Sequence, residues 1–180
     1  NYALPLWCNN GVDWKRGGVF ESLDGYDLSC SADFKRLRVL TRQIYVFTAG
    51  CRLDQDYCKT ALIHSLDFLL YKARIPAGGF SSRLSINGEI IEGSLDLYDL
   101  SFCLFALAHG YRLLSETRLK EEAIVLANFI LERFSHSAGG FSEGIPGSMP
   151  RRQNPHMHLL EALLEWRLLS DHIIFSDMSD

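Results

Sequence analysis

No run of apolar residues in this sequence reaches the roughly 18 needed to cross a bilayer, so a membrane-spanning helix is not what organises it. No signal-peptide pattern is present either. Cysteine is sparse and unpatterned. The five (Cys8, Cys30, Cys51, Cys58, Cys103) are odd in number and scattered, and no two form a C-x-x-C pair. That speaks against both a disulfide framework and a zinc knuckle. Each thiol reads as a small buried hydrophobe, and the expected compartment is a reducing cytoplasm. Positive charge is also short: 18 Lys and Arg face 22 Asp and Glu, a net charge of −4. This balance argues against nucleic acid or an anionic membrane as the main partner. No metal-ligating motif appears, and no cofactor is expected.

What is present fits one ordinary globular domain over residues 1–180. The chain is long enough for a sizeable core, with 47% hydrophobic and 22% charged residues. Glycine is placed with regularity. Gly17-Gly18, Gly78-Gly79 and Gly139-Gly140 each precede a phenylalanine, and their first members stand 61 residues apart both times. A fixed period of this length marks a repeated supersecondary unit. Asp24-Gly25 follows the first pair and Asn87-Gly88 the second, both strong hairpin signals. The third copy has a looser loop at Glu143-Gly144 with Pro146 and Gly147.

Helical sequence follows each pair. Over 33–50, Leu37, Leu40, Ile44 and Phe47 form one stripe, while Arg38, Arg42 and Tyr45 lie on another face. A second helix is expected up to about Arg74, stopping before Ile75-Pro76. Residues 95–114 are apolar nearly all round, the mark of a helix buried on most sides. Residues 117–134 are amphipathic. The third copy supplies a helix from Pro155 to about Ser170, after which 171–180 reads as a polar end. Each unit is therefore hairpin, inner helix and outer helix, as in a ring of helix pairs around a cavity. Two complete pairs and one inner helix cannot close such a ring. The last helix would then expose an apolar flank, so either a longer ring or a second copy is expected to cover it.

The third unit opens on Pro-Arg-Arg-Gln-Asn-Pro-His-Met-His from Pro150 to His158. Asn154 and Pro155 read as cap and first helical residue. Asn154 and His158, four apart, then share one face, which Glu161 and Glu165 continue, and His156 points elsewhere. Asn154 reads equally well as only a cap, and His158 as a hydrogen-bonded core histidine. Arg151-Arg152 reads as a solvated loop pair, with phosphate binding as the alternative.

Taken together, these segments resemble the N-terminal half of the N-acylglucosamine 2-epimerase family, which includes mannose isomerases and cellobiose 2-epimerases. The resemblance rests on Gly17-Gly18 with Asp24-Gly25, on Thr41-Arg42-Gln43-Ile44-Tyr45-Val46-Phe47, on Leu97-Tyr98-Asp99 through Phe105-Ala106-Leu107-Ala108, and on Asn154-Pro155-His156-Met157-His158-Leu159-Leu160-Glu161-Ala162. It implies an all-α, (α/α)6-type toroid, with about half the ring in this chain. It also implies reversible proton transfer at C2 of a sugar. By the same resemblance Arg42, Tyr98, Asn154 and His158 belong on the cavity wall. The acid/base histidines of the family's second half have no counterpart here, and residues 171–180 do not read as the family's continuation.

Such chemistry needs a base that titrates near working pH, for which His158 is the candidate. It also needs a donor aimed at the enediolate oxygen, a role that suits the Arg42 guanidinium. A hexose further calls for an aromatic wall and polar anchors. Trp14, Tyr45 and Tyr98 are candidates for the wall, Asn154 and Gln43 for the anchors. Each has a plainer reading: an Arg42 ion pair, a core Tyr98, a Gln43 bonded to backbone. His64, His109, His136 and His172 read as structural or surface. The expected partner is a mono- or disaccharide, with a homodimer as an option. Two other readings are a glycoside hydrolase, which needs two carboxylates flanking one bond, and a non-catalytic helical-repeat scaffold.

Overall fold

Where a β-ladder claims the backbone, a helix cannot start. The computed structural model describes residues 2–53, 55–76, 78–91, 95–147 and 149–180 and shows this before the first long helix. Strand β1 (Phe34–Arg36) pairs antiparallel with β2 (Arg83–Ser85), in the register Phe34 to Ser85 and Arg36 to Arg83. Helix α2 (Leu37–Arg52) begins only after it. The sequence stripe placed that start at residue 33; the ladder partner, nearly fifty residues on, moves it.

The chain forms two compact units. The first comprises Asn1–Arg74 with Ser81–Gly93, the second Ile75–Phe80 with Ser94–Asp180. In the first, α1 (Ala3–Leu6) runs into a π-helical turn, Trp7–Gly11. The expected stripe of α2 is its core face: Leu37, Leu40, Ile44 and Phe47 are buried. Thr41 and Thr48 are buried with them, their hydroxyls donating to the carbonyls of Leu37 (3.0 Å) and Ile44 (2.9 Å). Helix α3 (Tyr57–Phe68) buries Ala61, Leu62 and Leu66 and ends in a second π-helical turn, Leu69–Ala73, before Ile75-Pro76 as expected.

The Asn87-Gly88 hairpin forms. Ser85 N–H donates to Glu89 O at 2.7 Å, Leu84 bridges Ile90, and Gly88 takes φ +86°. Asp24-Gly25 does not make the expected hairpin. The Asp24 carboxylate accepts from the Tyr26 N–H at 2.8 Å, and its carbonyl accepts from Leu28 N–H. The result is an Asx-type turn, because that side chain offers the backbone a partner a strand would otherwise supply.

In the second unit, β3 (Leu95–Asp96) leads into α4 (Leu97–Leu114), with Asp96 as its N-cap, accepting from Tyr98 N–H at 2.8 Å. Helix α5 (Thr117–Phe134) has the expected bounds and buries Leu119, Ala123, Leu126, Ala127 and Ile130. Strand β4 (Gly144–Ile145) pairs with β3 rather than folding back on its own loop. Helix α6 spans Gln153–Arg167, with Arg152 at the cap position. Asn154 is thus inside the first turn and is not the cap. Pro155 fits there because N–H groups of the first turn have no intrahelical acceptor.

The end of the chain is not simply polar. A short helix, α7 (Ile173–Ser179), buries Ile174 and Phe175, and Phe175 stacks on the buried Trp166 at 5.1 Å. Trp166 in turn donates its indole N–H to Leu104 O at 2.9 Å, tying α6 to α4.

The repeat is plain in the backbone. Asp13, Ile75 and His136 each donate an N–H to the second glycine carbonyl of the following pair, at 2.9 Å every time, and each accepts from the N–H of the first. The helices thus come as successive pairs joined by glycine loops and two-residue to three-residue strands. No helix among the described residues is long and apolar enough to cross a membrane.

Candidate functional site

In the second unit the site grows from two helices. Helix α4 is apolar on almost every side, but Tyr98 and Phe102, one turn apart, remain half-buried on its open face. Helix α6 brings His158 against them. The imidazole lies edge-on to Tyr98 (5.2 Å between centroids) and tilted against Phe102 (4.6 Å), while the two aromatic rings are 5.0 Å apart. His158 Nδ1 is 3.0 Å from a carboxylate oxygen of Glu161, one turn further along α6. Asn154 is exposed one turn before His158, on the same side.

Tyr98 and His158, both assigned to the cavity wall by the family resemblance, are in contact. Phe102 was missed, although its spacing of four from Tyr98 was the available signal. The cluster has an apolar wall and a titratable group with a carboxylate at its back. It can hold the face of a sugar ring and move a proton.

The carboxylates that a hydrolase would need are otherwise engaged. Asp96 caps α4, Asp99 is buried, Glu161 faces His158, and Glu165 pairs with Arg112 at 2.6 Å.

His156 is on the other side of α6, about 200° round the helix from Asn154. Its Nε2 is 3.0 Å from Phe141 O and its Nδ1 3.1 Å from Arg152 O, which fastens the third glycine loop. The two arginines before it are not merely solvated. Arg151 donates to Gly139 O, and Arg152 donates at 2.6 Å to Glu143, whose side chain is buried. A buried acid needs that partner, and the loop needs that donor. Gly139, Arg151, Arg152 and His156 line an open surface hollow.

The first unit carries the other candidates. Arg42 and Tyr45 are exposed, one turn apart, on the face of α2 that turns away from its core. Gln43 is half-buried, and its Oε1 has no hydrogen-bond donor among the described residues. Trp14 lies against α3: its indole N–H donates to Cys8 O at 3.2 Å, and its ring is 4.9 Å from that of His64.

The first unit also holds a buried ion pair that the sequence did not disclose. Lys35 Nζ donates to Asp13 Oδ2 (2.9 Å), Gly17 O (2.6 Å) and Ile86 O (2.9 Å), clamping the first glycine loop to the 87–88 hairpin. Burial pushes the Asp13 carboxyl up. The bonds from Lys35 and from the backbone and side chain of Arg16 outweigh it and hold the group below its usual range. Burial likewise pulls the Lys35 ammonium down, only partly offset by Asp13.

The cysteines are free thiols. Cys8, raised to about 12 by burial and by the Cys58 thiol 3.6 Å away, is held protonated, and burial drives Cys103 well above its ordinary value. No group of three or more metal-ligating side chains occurs among the described residues.

Residues 18–179 match the family model described as N-acylglucosamine 2-epimerase (GlcNAc 2-epimerase). The match runs through α7, so residues 171–179, which did not read as the family's continuation, belong to it. Against a mannose-6-phosphate isomerase of Rhizobium meliloti (strain 1021) the chain is 34% identical over 187 residues, covering 99% of this chain and 47% of that protein. Among solved structures, cellobiose 2-epimerase from Bacillus thermoamylovorans B4167 superposes with a TM-score of 0.86 at 21% identity, covering 98% of this chain and 50% of that one. A D-mannose isomerase gives 0.81 at 19%, covering 97% and 46%. The fold is thus that of the α/α-toroid epimerases, of which this chain carries part of the ring. The chain spans about half the length of these relatives.

Proposed function

The chain belongs to the N-acylglucosamine 2-epimerase family, and from that premise we propose that it serves a sugar 2-epimerase or aldose–ketose isomerase acting on a hexose or N-acylhexosamine. Membership and the superpositions give the family and the fold. The enzymatic activity, the substrate, the enediolate and the residue roles are the proposal.

In this reading a base removes the proton from C2 of the ring-opened sugar, and the C–H electron pair moves to the C1 carbonyl oxygen. Arg42 stabilises the charge that develops there. His158 lies beside the reacting carbon and takes or returns a proton. Return to the opposite face of C2 gives the epimer; return to C1 gives the ketose. The step is redox-neutral and calls for no redox cofactor. In the second unit Tyr98, with Phe102, forms an apolar wall; in the first, Tyr45 and Trp14 are the aromatic candidates. Asn154 and Gln43 are the anchors: Asn154 is exposed on α6, and Gln43 is half-buried on α2.

The observation that carries the reading is the His158 cluster: a titratable ring packed against both Tyr98 and Phe102 at the open face of α4. Proton transfer is favoured over glycoside hydrolysis by the His158 cluster itself, around which Asp96 caps a helix, Asp99 is buried, Glu161 faces the imidazole and Glu165 is paired with Arg112. A phosphate on the sugar is not part of the proposal, because Arg151 and Arg152 hold their own loop. The five free thiols suit a reducing cytoplasm. A second copy is proposed as the partner that covers the exposed apolar row of α6.

The test is hydrogen exchange at C2. This chain and the longest natural form of it are incubated in D2O with mannose, mannose 6-phosphate, N-acetylmannosamine and cellobiose, and the C2 proton is followed by NMR. Loss of the signal with at least one of these sugars is expected, and greater with the longer form. No loss with either form, on sugars shown to bind, would overturn the proposal.

A further inference from the structure

The tautomer of a neutral histidine decides which nitrogen can take a proton, and that choice is set by whatever the other nitrogen meets. Two features of the second unit bear on His158. Its ring packs against Tyr98 and Phe102, at 5.2 and 4.6 Å, contacts that favour one orientation of the imidazole. In that orientation Nδ1 faces Glu161 Oε2 at 3.0 Å. An ionised carboxylate only accepts hydrogen bonds, so the nitrogen facing it must carry the hydrogen.

We infer that Glu161 is a positioning residue that fixes His158 in the Nδ1–H tautomer and leaves Nε2 unprotonated as the nitrogen that exchanges a proton with the sugar. Glu161 touches no substrate in this scheme and acts through His158 alone. The catalytic meaning rests on the function proposed above; the tautomer does not, since it can be read with no sugar present.

The geometry separates this role from an ordinary pairing on a helix surface. Residues three apart on an exposed helix pair weakly and transiently. Here one partner packs against two aromatic rings, so the carboxylate selects between two nitrogens of a ring whose orientation those contacts favour. Glu161 itself is half-exposed, so its replacement leaves no buried hole.

The experiment labels the chain with 15N at histidine and assigns the His158 signals by their loss in His158→Gln. The expected spectrum has a pyrrole-like Nδ1 and a pyridine-like Nε2. Glu161→Gln, whose amide oxygen can still accept from Nδ1–H, should keep that pattern. Glu161→Ala should lose it in favour of the Nε2–H form, with the fold intact by circular dichroism. On a sugar that exchanges its C2 proton, Glu161→Ala should lower kcat by about 10- to 100-fold, as for the loss of other partners that orient a histidine. KM should change little, and Glu161→Gln should recover most of the rate. An Nε2–H tautomer in the unmodified chain, or a tautomer unmoved by Glu161→Ala, would overturn the inference. A tautomer that moves while no sugar exchanges would leave the positioning role standing and remove the function it was meant to serve.

Discussion

Asp13 and Lys35 illustrate what one buried charge requires of another. Both are almost wholly buried, and Lys35 has three acceptors within 2.9 Å. Replacing Asp13 by Asn leaves a buried ammonium facing two carbonyls and no counter-charge, a loss of about 3–5 kcal/mol in urea denaturation. Combining it with Lys35→Met should recover most of that loss, since apolar replacement of a whole buried pair is often neutral. The pH dependence has a definite sign. The Asp13 carboxyl is held below 3.8 in the folded protein, so its contribution is complete above that value and fades as pH falls through the folded one. The acid limb of stability against pH should therefore be shallower in the double variant.

At the same scale, Arg42→Lys keeps the charge of the proposed enediolate partner but removes the fork of donors. The proposal predicts a fall in C2 exchange of about 10²-fold, with the urea midpoint almost unchanged because Arg42 is exposed on α2. What the sequence disclosed of the site follows from helical spacing. Asn154, His158 and Glu161 were legible as one face because they lie on one helix. Tyr98 and His158 could be joined only through the family resemblance, since nothing local relates residues sixty apart. Lys35 was not legible at all. A lysine between Phe34 and Arg36 reads as solvent-facing, and its acceptors at Gly17 and Ile86 come from distant loops.

At the scale of elements, the three glycine loops share one hydrogen-bond pattern but not one environment. Gly17 and Gly139 are equivalent and both left-handed, at φ +94° and +83°. A Cβ on Gly17 would come within 2.7 Å of the Phe68 ring, whereas one on Gly139 meets nothing within 4 Å. Gly139→Ala should cost only the backbone penalty, about 1–2 kcal/mol. Gly17→Ala should cost more, because Phe68 is a buried ring with little room to move. Melting temperatures of the two variants decide it, and equal losses would mean that the Phe68 contact carries no weight.

The elements themselves were legible in proportion to how locally they are determined. Helix α5 was bounded correctly because its amphipathic pattern and its ends lie within the segment. The start of α2 was displaced by the β1–β2 ladder, and α6 begins at Gln153, two residues before the expected proline, with the extended Arg152 rather than Asn154 at the cap position. The segment 171–180 looked polar because its apolar content is concentrated in Ile173, Ile174 and Phe175, which matter only once Trp166 is there to receive them.

At the scale of the whole molecule, the chain matches about half of each relative, and its sequence pattern foresaw an uncovered flank on the last long helix. That flank is present. Met157, Leu160, Leu164 and Leu168 recur along α6 and are 43% to 77% exposed. Scattered apolar residues on a surface are ordinary, but a row at helical spacing is what a helix presents to a neighbour. If a second copy covers this row, the chain should sediment as a concentration-dependent dimer. Leu160→Glu with Leu164→Glu should then shift it to monomer. The same pair of changes should leave the melting temperature of the monomer within a few degrees, since neither side chain belongs to the buried core. His158 lies two residues from Leu160, about 200° round α6, and turns toward Tyr98 and Phe102, so dimerisation through this row should not bury the proposed proton-transfer site. C2 exchange by this chain should accordingly stay proportional to protein concentration across the monomer–dimer transition, and the double glutamate variant should exchange at the same rate per chain. A monomer at every concentration would leave the row to be covered by the polypeptide that occupies the other half of the ring in the longer relatives.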